Sequence, residues 1–158
     1  MPNDTLQRIM HKKLSDRGGI TFSSVDNDFA NEIYKTFLNQ SEKIGDQKNI
    51  LPYESTHGYG STDVGDISWL VPTGGTRIAT WVPGTSAHSW QAVASGGTTI
   101  GVKGTKLAVQ VLTETAREIY LNPDIVKQAE AELSTNVGED FNYVPLLGDR
   151  NPPLDYRN

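Results

Sequence analysis

An α/β fold is expected of this chain on three observations: segments of helical apolar spacing, one strand-like run stopped by Pro-Gly, and a small-residue loop directly after that run. The first helix follows from Leu6, Ile9, Met10 and Leu14, which share one helical face until Gly18-Gly19 stops it. A second is signalled by Ser23 or Ser24 as cap, Asp26 and Asp28 near its start, and Val25, Phe29, Ile33, Tyr34, Phe37 and Leu38 at helical spacing. Residues 39–50 are polar and read as a surface connection. From His57 to Gly104 lie most of the glycines, all three Trp and two of the three His, a texture of irregular functional loops. Within it, Ile78 to Val82 predicts a strand ended by Pro83-Gly84, while Ile67 to Val71 is too short to type by periodicity. Leu107, Val111, Leu112, Thr115, Ile119 and Tyr120 predict a long helix ending near Asn122-Pro123. That pair also starts the next helix, with Asn122 as cap and Pro123 at its first position, running through Ile125, Ala129 and Leu133. The end from Asn136 to Asn158, with Pro145, Pro152 and Pro153 and no periodicity, reads as an extended strap over the surface, and the chain is divided into a body over residues 1–145 and an extended tail over 146–158.

Composition narrows the function classes. The absence of Cys excludes a disulfide framework, a thiolate zinc ribbon and a thiol nucleophile. Fourteen Lys and Arg against nineteen Asp and Glu give a formal charge of -5 with no basic stripe, so nucleic acid is not an expected partner. There is no apolar run of the ~18 residues a membrane span needs, and the opening residues lack the apolar region of a secretory signal. A soluble, cytoplasmic protein without membrane partners is expected.

Three histidines carry the candidate chemistry. His11 falls among polar neighbours on the first helix and reads as solvated. His57, in Thr56-His57-Gly58-Tyr59-Gly60, is open as a ligand, a substrate contact or neither. His88 lies just past the predicted strand between Trp81 and Trp90, in the position where α/β proteins place chemistry. Its imidazole could bind zinc or simply pack on tryptophan. Gly60 to Asp66 combines glycines, Ser61, Thr62, Asp63 and Asp66, which suits either an anion site for a substrate carboxylate or a capped turn. It matches neither a Walker loop nor a calcium loop, and the chain has no G-x-S-x-G elbow. His57, His88 and one of Asp63 or Asp66 could form a self-contained metal site, although no H-x-D or H-E-x-x-H pair supports it.

The order GSTDVGDISW, then a strand, then TWVPGTSAHSW, then a long helix after VKG closely resembles the C-terminal part of the dinuclear zinc amidohydrolases and carboxypeptidases. That family includes aminoacylases, carboxypeptidase G and aminobenzoyl-glutamate hydrolases, and the likeness covers residues 1 to about 145. It implies the C-terminal portion of an α/β sandwich with a mixed sheet flanked by helices. It also implies hydrolysis of an amide next to a free carboxylate, of the N-acyl or aminobenzoyl-glutamate type. By position, His88 matches the family's last metal ligand, and Ser61, Thr62 and Asp63, with His57 nearby, fall where substrate is touched.

The family's H-x-D ligands, its general-base Glu and its bridging carboxylate have no counterpart here. No catalytic residue is therefore assigned, and the isolated chain is expected to be silent. The dinuclear site would be completed by a missing N-terminal half or a partner chain. Exposed strand edges and an uncovered apolar face should then favour a homo-oligomer or a need for that partner. A non-catalytic interaction module and a small metalloenzyme using His57 and His88 stay open as alternatives.

Overall fold

The computed structural model describes residues 1–55, 60, 62–145 and 147–154. Helix α1 spans Asp4–Arg17. The Asn3 side chain accepts the Leu6 N–H at its start, and Gly18 ends it with a φ of 77° that few other residues tolerate. Helix α2, Ser24–Tyr34, opens on a reciprocal capping box in which Ser23 and Asp26 each accept from the other's backbone N–H. It stops before Phe37 and Leu38, which share its apolar spacing; Phe37 folds back on the core and Leu38 is fully exposed.

Further elements follow in chain order. A 3-10 turn covers Asp46–Lys48, α3 covers Val64–Ser68 and α4 covers Trp90–Gly96. Helix α5, Thr99–Leu121, starts at the Thr98 cap, well before the first apolar position that announces it. Helix α6, Pro123–Val137, has Pro123 in its first turn, where the missing N–H costs no hydrogen bond.

The described residues are helical, with no strand and no sheet, so the expected α/β sandwich is not what this chain forms. Ile78 to Val82 takes no regular secondary structure and bends at Trp81, although Val82 is buried in the core and Ile78 packs against it. A strand also needs a neighbour for its main-chain groups. Among the described residues, no backbone hydrogen bond joins residues 72–81 to another segment. The run lies instead against α5. Gly104 leaves room for it: a Cβ there would overlap the Ala79 carbonyl oxygen and the Thr80 methyl.

Helix α5 is the axis of the packing, touching α1, α4 and α6, while α1 also packs on α6. Between them sits a core of Leu14, Ile20, Phe22, Ala30, Ile33, Val82, Ile100, Leu107 and Val111. Polar clamps fix the helices around it. Lys103 and Thr99 of α5 both donate to Asp26 of α2. Lys13 and Arg17 of α1 pair with Glu118 and Glu114 of α5. Glu132 of α6 accepts from the Asp4 and Thr5 N–H groups at 2.5 and 2.9 Å, a carboxylate set on the positive end of α1. No helix among the described residues is long and apolar enough to cross a membrane.

Candidate functional site

The candidate site is the loop between the Ile78 to Val82 run and α4. Val82, 1% exposed, anchors its start in the core. Thr85 then closes a tight turn, its N–H and hydroxyl both donating to the Val82 carbonyl at 3.1 and 2.6 Å. Gly84 takes a φ of 85°, and the Phe37 ring edge lies 3.4 Å from where a Cβ would stand. The Glu42 carboxylate accepts the Gly84 N–H at 2.9 Å. At the far end Ser89 caps α4 by accepting the Ala92 N–H, and its hydroxyl donates to the Ser86 carbonyl at 2.7 Å.

His88 sits exposed between these braces with a φ of 59°. It is the sole non-glycine residue with positive φ among the described residues. Such a conformation costs about 1–3 kcal/mol and persists where the surroundings over-determine it, a pattern that gathers at functional positions. The Pro-Gly pair ahead of His88 marks a turn in the sequence, and the structure does place the histidine in a braced turn.

The other candidates are dispersed. Thr62 accepts the Gly65 N–H through its carbonyl at 3.0 Å and the Val64 N–H through its hydroxyl at 3.4 Å, which makes it the turn before α3. Asp63 is exposed at the start of that five-residue helix, and its side chain caps nothing. Asp66 neighbours Tyr143, whose hydroxyl is pushed up by burial and then by this carboxylate. Thr62 also lines an open groove of about 1270 Å³ with Tyr53, Glu54, Arg77 and Glu132, and His88 is not part of its wall. His57 and Ser61 lie outside the described residues. His11 is not simply solvated: its Nε2 lies 2.9 Å from the Leu51 carbonyl and its ring meets Tyr53 edge-on.

Zinc needs several N or O donors converging on one point. Among the described residues no three His, Asp or Glu side chains do so. These residues therefore do not make a zinc site by themselves, and His88 fits the metal only as a single donor. The self-contained site would depend on His57. Sequence reasoning missed Glu42, which lies in a stretch that reads only as a polar connection.

Against known proteins, the chain is 28% identical over 157 aligned residues to one of the subunits of the p-aminobenzoyl-glutamate hydrolase of Escherichia coli (strain K12). It resembles a hydrolase subunit. The match takes in 84% of this chain and 33% of that relative, so the chain spans about a third of the relative's length. The likeness read from the TDVGD and PGTSAHSW segments is borne out by it. No protein-family model matches the chain, and no solved structure matches it.

Proposed function

We infer that this chain forms the C-terminal portion of a zinc-dependent amidohydrolase that cleaves an amide beside a free carboxylate, of the p-aminobenzoyl-glutamate or N-acyl amino acid type. The observation that carries the reading is the match to the E. coli hydrolase over 84% of the chain. The left-handed turn that presents an exposed His88 is consistent with a residue held for a ligand. In this reading His88 donates one nitrogen to a metal site, Ser61, Thr62, Asp63 and His57 serve as substrate contacts, and the remaining ligands and the general base come from polypeptide outside this sequence. The complete assembly is a cytoplasmic oligomer, and the 158-residue chain alone is inactive.

The test is a chimera in which this chain replaces the aligned third of the E. coli protein, expressed with the rest of that hydrolase. The chimera should hydrolyse p-aminobenzoyl-glutamate, the chain alone should not, and His88→Ala should lower bound zinc and abolish turnover. Hydrolysis by the purified chain alone, or a His88→Ala chimera with full zinc content and full turnover, would overturn the reading. Should the chimera not fold, zinc titration of the purified chain decides the role of His88: weak binding lost in His88→Ala supports it, and identical titrations remove it.

A further inference from the structure

We propose that the connection after α2 is a bracket that positions His88, with Glu42 as its principal positioning residue. This rests on the metal-donor reading of His88, and the bracket itself is a matter of geometry alone. The connection is closed on itself before it touches the loop. Tyr34, the last residue of α2, donates from its hydroxyl to the carbonyls of Gln40 and Glu42 at 3.2 and 2.7 Å, and the Gln40 amide donates back to the Tyr34 carbonyl at 3.0 Å. The rings of Tyr34 and Phe37 meet edge-on at 5.5 Å, with both packed against the core.

From this closed unit two groups reach the histidine loop ahead of His88, and a third reaches the first turn of α4 behind it. Ahead of it, Glu42 accepts the Gly84 N–H and Phe37 fills the space beside the same glycine. Behind it, the Thr36 hydroxyl accepts from the Gln91 side chain at 3.2 Å. Of the loop's own bonds, Thr85 to Val82 closes the turn ahead of the histidine and Ser89 to Ser86 spans His88 itself, so the bracket holds the outer ends of a segment that is also closed locally. A left-handed residue other than glycine returns to the commoner backbone regions unless its flanks are held. The carboxylate of Glu42 makes the stronger, charge-assisted kind of hydrogen bond to the Gly84 N–H. Its place, 42 residues away in sequence, ties the turn to the body of the molecule rather than to its own neighbours.

The experiment is nuclear magnetic resonance on the full 158-residue chain, reading amide exchange at Gly84 and the backbone coupling constant of His88 in wild type, Glu42→Ala and Glu42→Gln. Losing the carboxylate should speed Gly84 exchange by about tenfold or more and move the His88 coupling away from its left-handed value, while Glu42→Gln, which keeps an acceptor oxygen, should restore most of both. An unchanged His88 coupling in Glu42→Ala would overturn the bracket. Zinc titration of the chimera is the second readout: Glu42→Ala should weaken zinc binding by about tenfold, as loss of a supporting residue around a metal ligand does. Unchanged zinc affinity in that variant, where His88→Ala does weaken binding, would overturn the positioning role. If His88→Ala itself leaves zinc affinity unchanged, the metal reading fails, and the exchange and coupling measurements still decide the bracket.

Discussion

Lys103 of α5 donates to the carboxylate of Asp26 in the first turn of α2, a group only 2% exposed. The same carboxylate accepts from the Thr99 hydroxyl and from the Ser23 N–H and hydroxyl, the latter two at 2.7 and 2.8 Å. Burial pushes the Asp26 carboxyl up, and the donors from Lys103, Thr99 and Ser23 outweigh it, holding the group well below its ordinary 3.8. A carboxylate lowered on folding stabilises the fold fully above its unfolded value and loses that contribution as pH falls below about 4. The advantage of wild type over Asp26→Ala in urea denaturation should be about 3 kcal/mol at pH 7 and shrink steadily below pH 4. A difference independent of pH would show that shape, not charge, fixes α2 on α5.

The contact between Gly104 and Ala79-Thr80 makes a second expectation. A Cβ at Gly104 meets the backbone carbonyl of Ala79, which cannot swing aside as a side chain would. Gly104→Ala should destabilise the fold by about 2 kcal/mol, seen as a lower thermal midpoint. Gly75→Ala is the matched control, because nothing lies within 4 Å of the place its methyl group would take and its φ is ordinary. That substitution should stay within about 0.5 kcal/mol of wild type.

The helices α1, α2, α5 and α6 were legible because caps and apolar spacing are local signals. Ser23, Asp26 and Pro123 each act within one turn of where they stand. Helix α4 was not legible: its seven residues include Ala92, Ala94, Ser95 and Gly96, small side chains with little periodicity to read. The strand read over Ile78 to Val82 did not form, because a sheet requires a second strand and local pattern does not specify a partner, although Val82 is buried and Ile78 packs on the core. At the candidate site, Pro83-Gly84 and the flanking Trp residues pointed to His88. The left-handed backbone of His88 and the hydrogen bond from Gly84 to Glu42 depend on contacts between distant segments, so neither left a mark on the sequence nearby.

The apolar residues of α3 and the turn after it bear on assembly. Ile67 and Leu70 are 53% and 56% exposed, with Val64 and Val71 close to half exposed on the same short stretch. An apolar patch left open in this way commonly marks an interaction surface. The purified chain should bind an apolar-surface dye and sediment above its 17.3 kDa mass. Replacing Ile67 and Leu70 together by Ser should reduce both while leaving the helical signal intact. Unchanged dye binding and unchanged mass would place the association surface elsewhere.

The seat of Glu132 on α1 makes the last expectation. Burial raises this carboxyl, and the Thr5 hydroxyl with the Thr5 and Asp4 N–H groups overcomes it, so its pKa falls below the ordinary 4.5. The N–H groups it accepts belong to the first turn of α1, which have no partner within the helix, and the helix dipole favours a negative charge there. Asn3 adds a second link from the same turn, donating to the Ala129 carbonyl of α6 at 2.9 Å. Glu132→Gln keeps one acceptor and loses the charge, so it should cost about 1 kcal/mol at pH 7 and open the Asp4 and Thr5 amides to faster exchange. As the folded pKa lies below the unfolded one, this difference should vanish as pH falls through and below about 4.5. Amide exchange confined to the first turn of α1 would mark Glu132 as a local cap, whereas faster exchange along α6 as well would show that the carboxylate holds the two helices together.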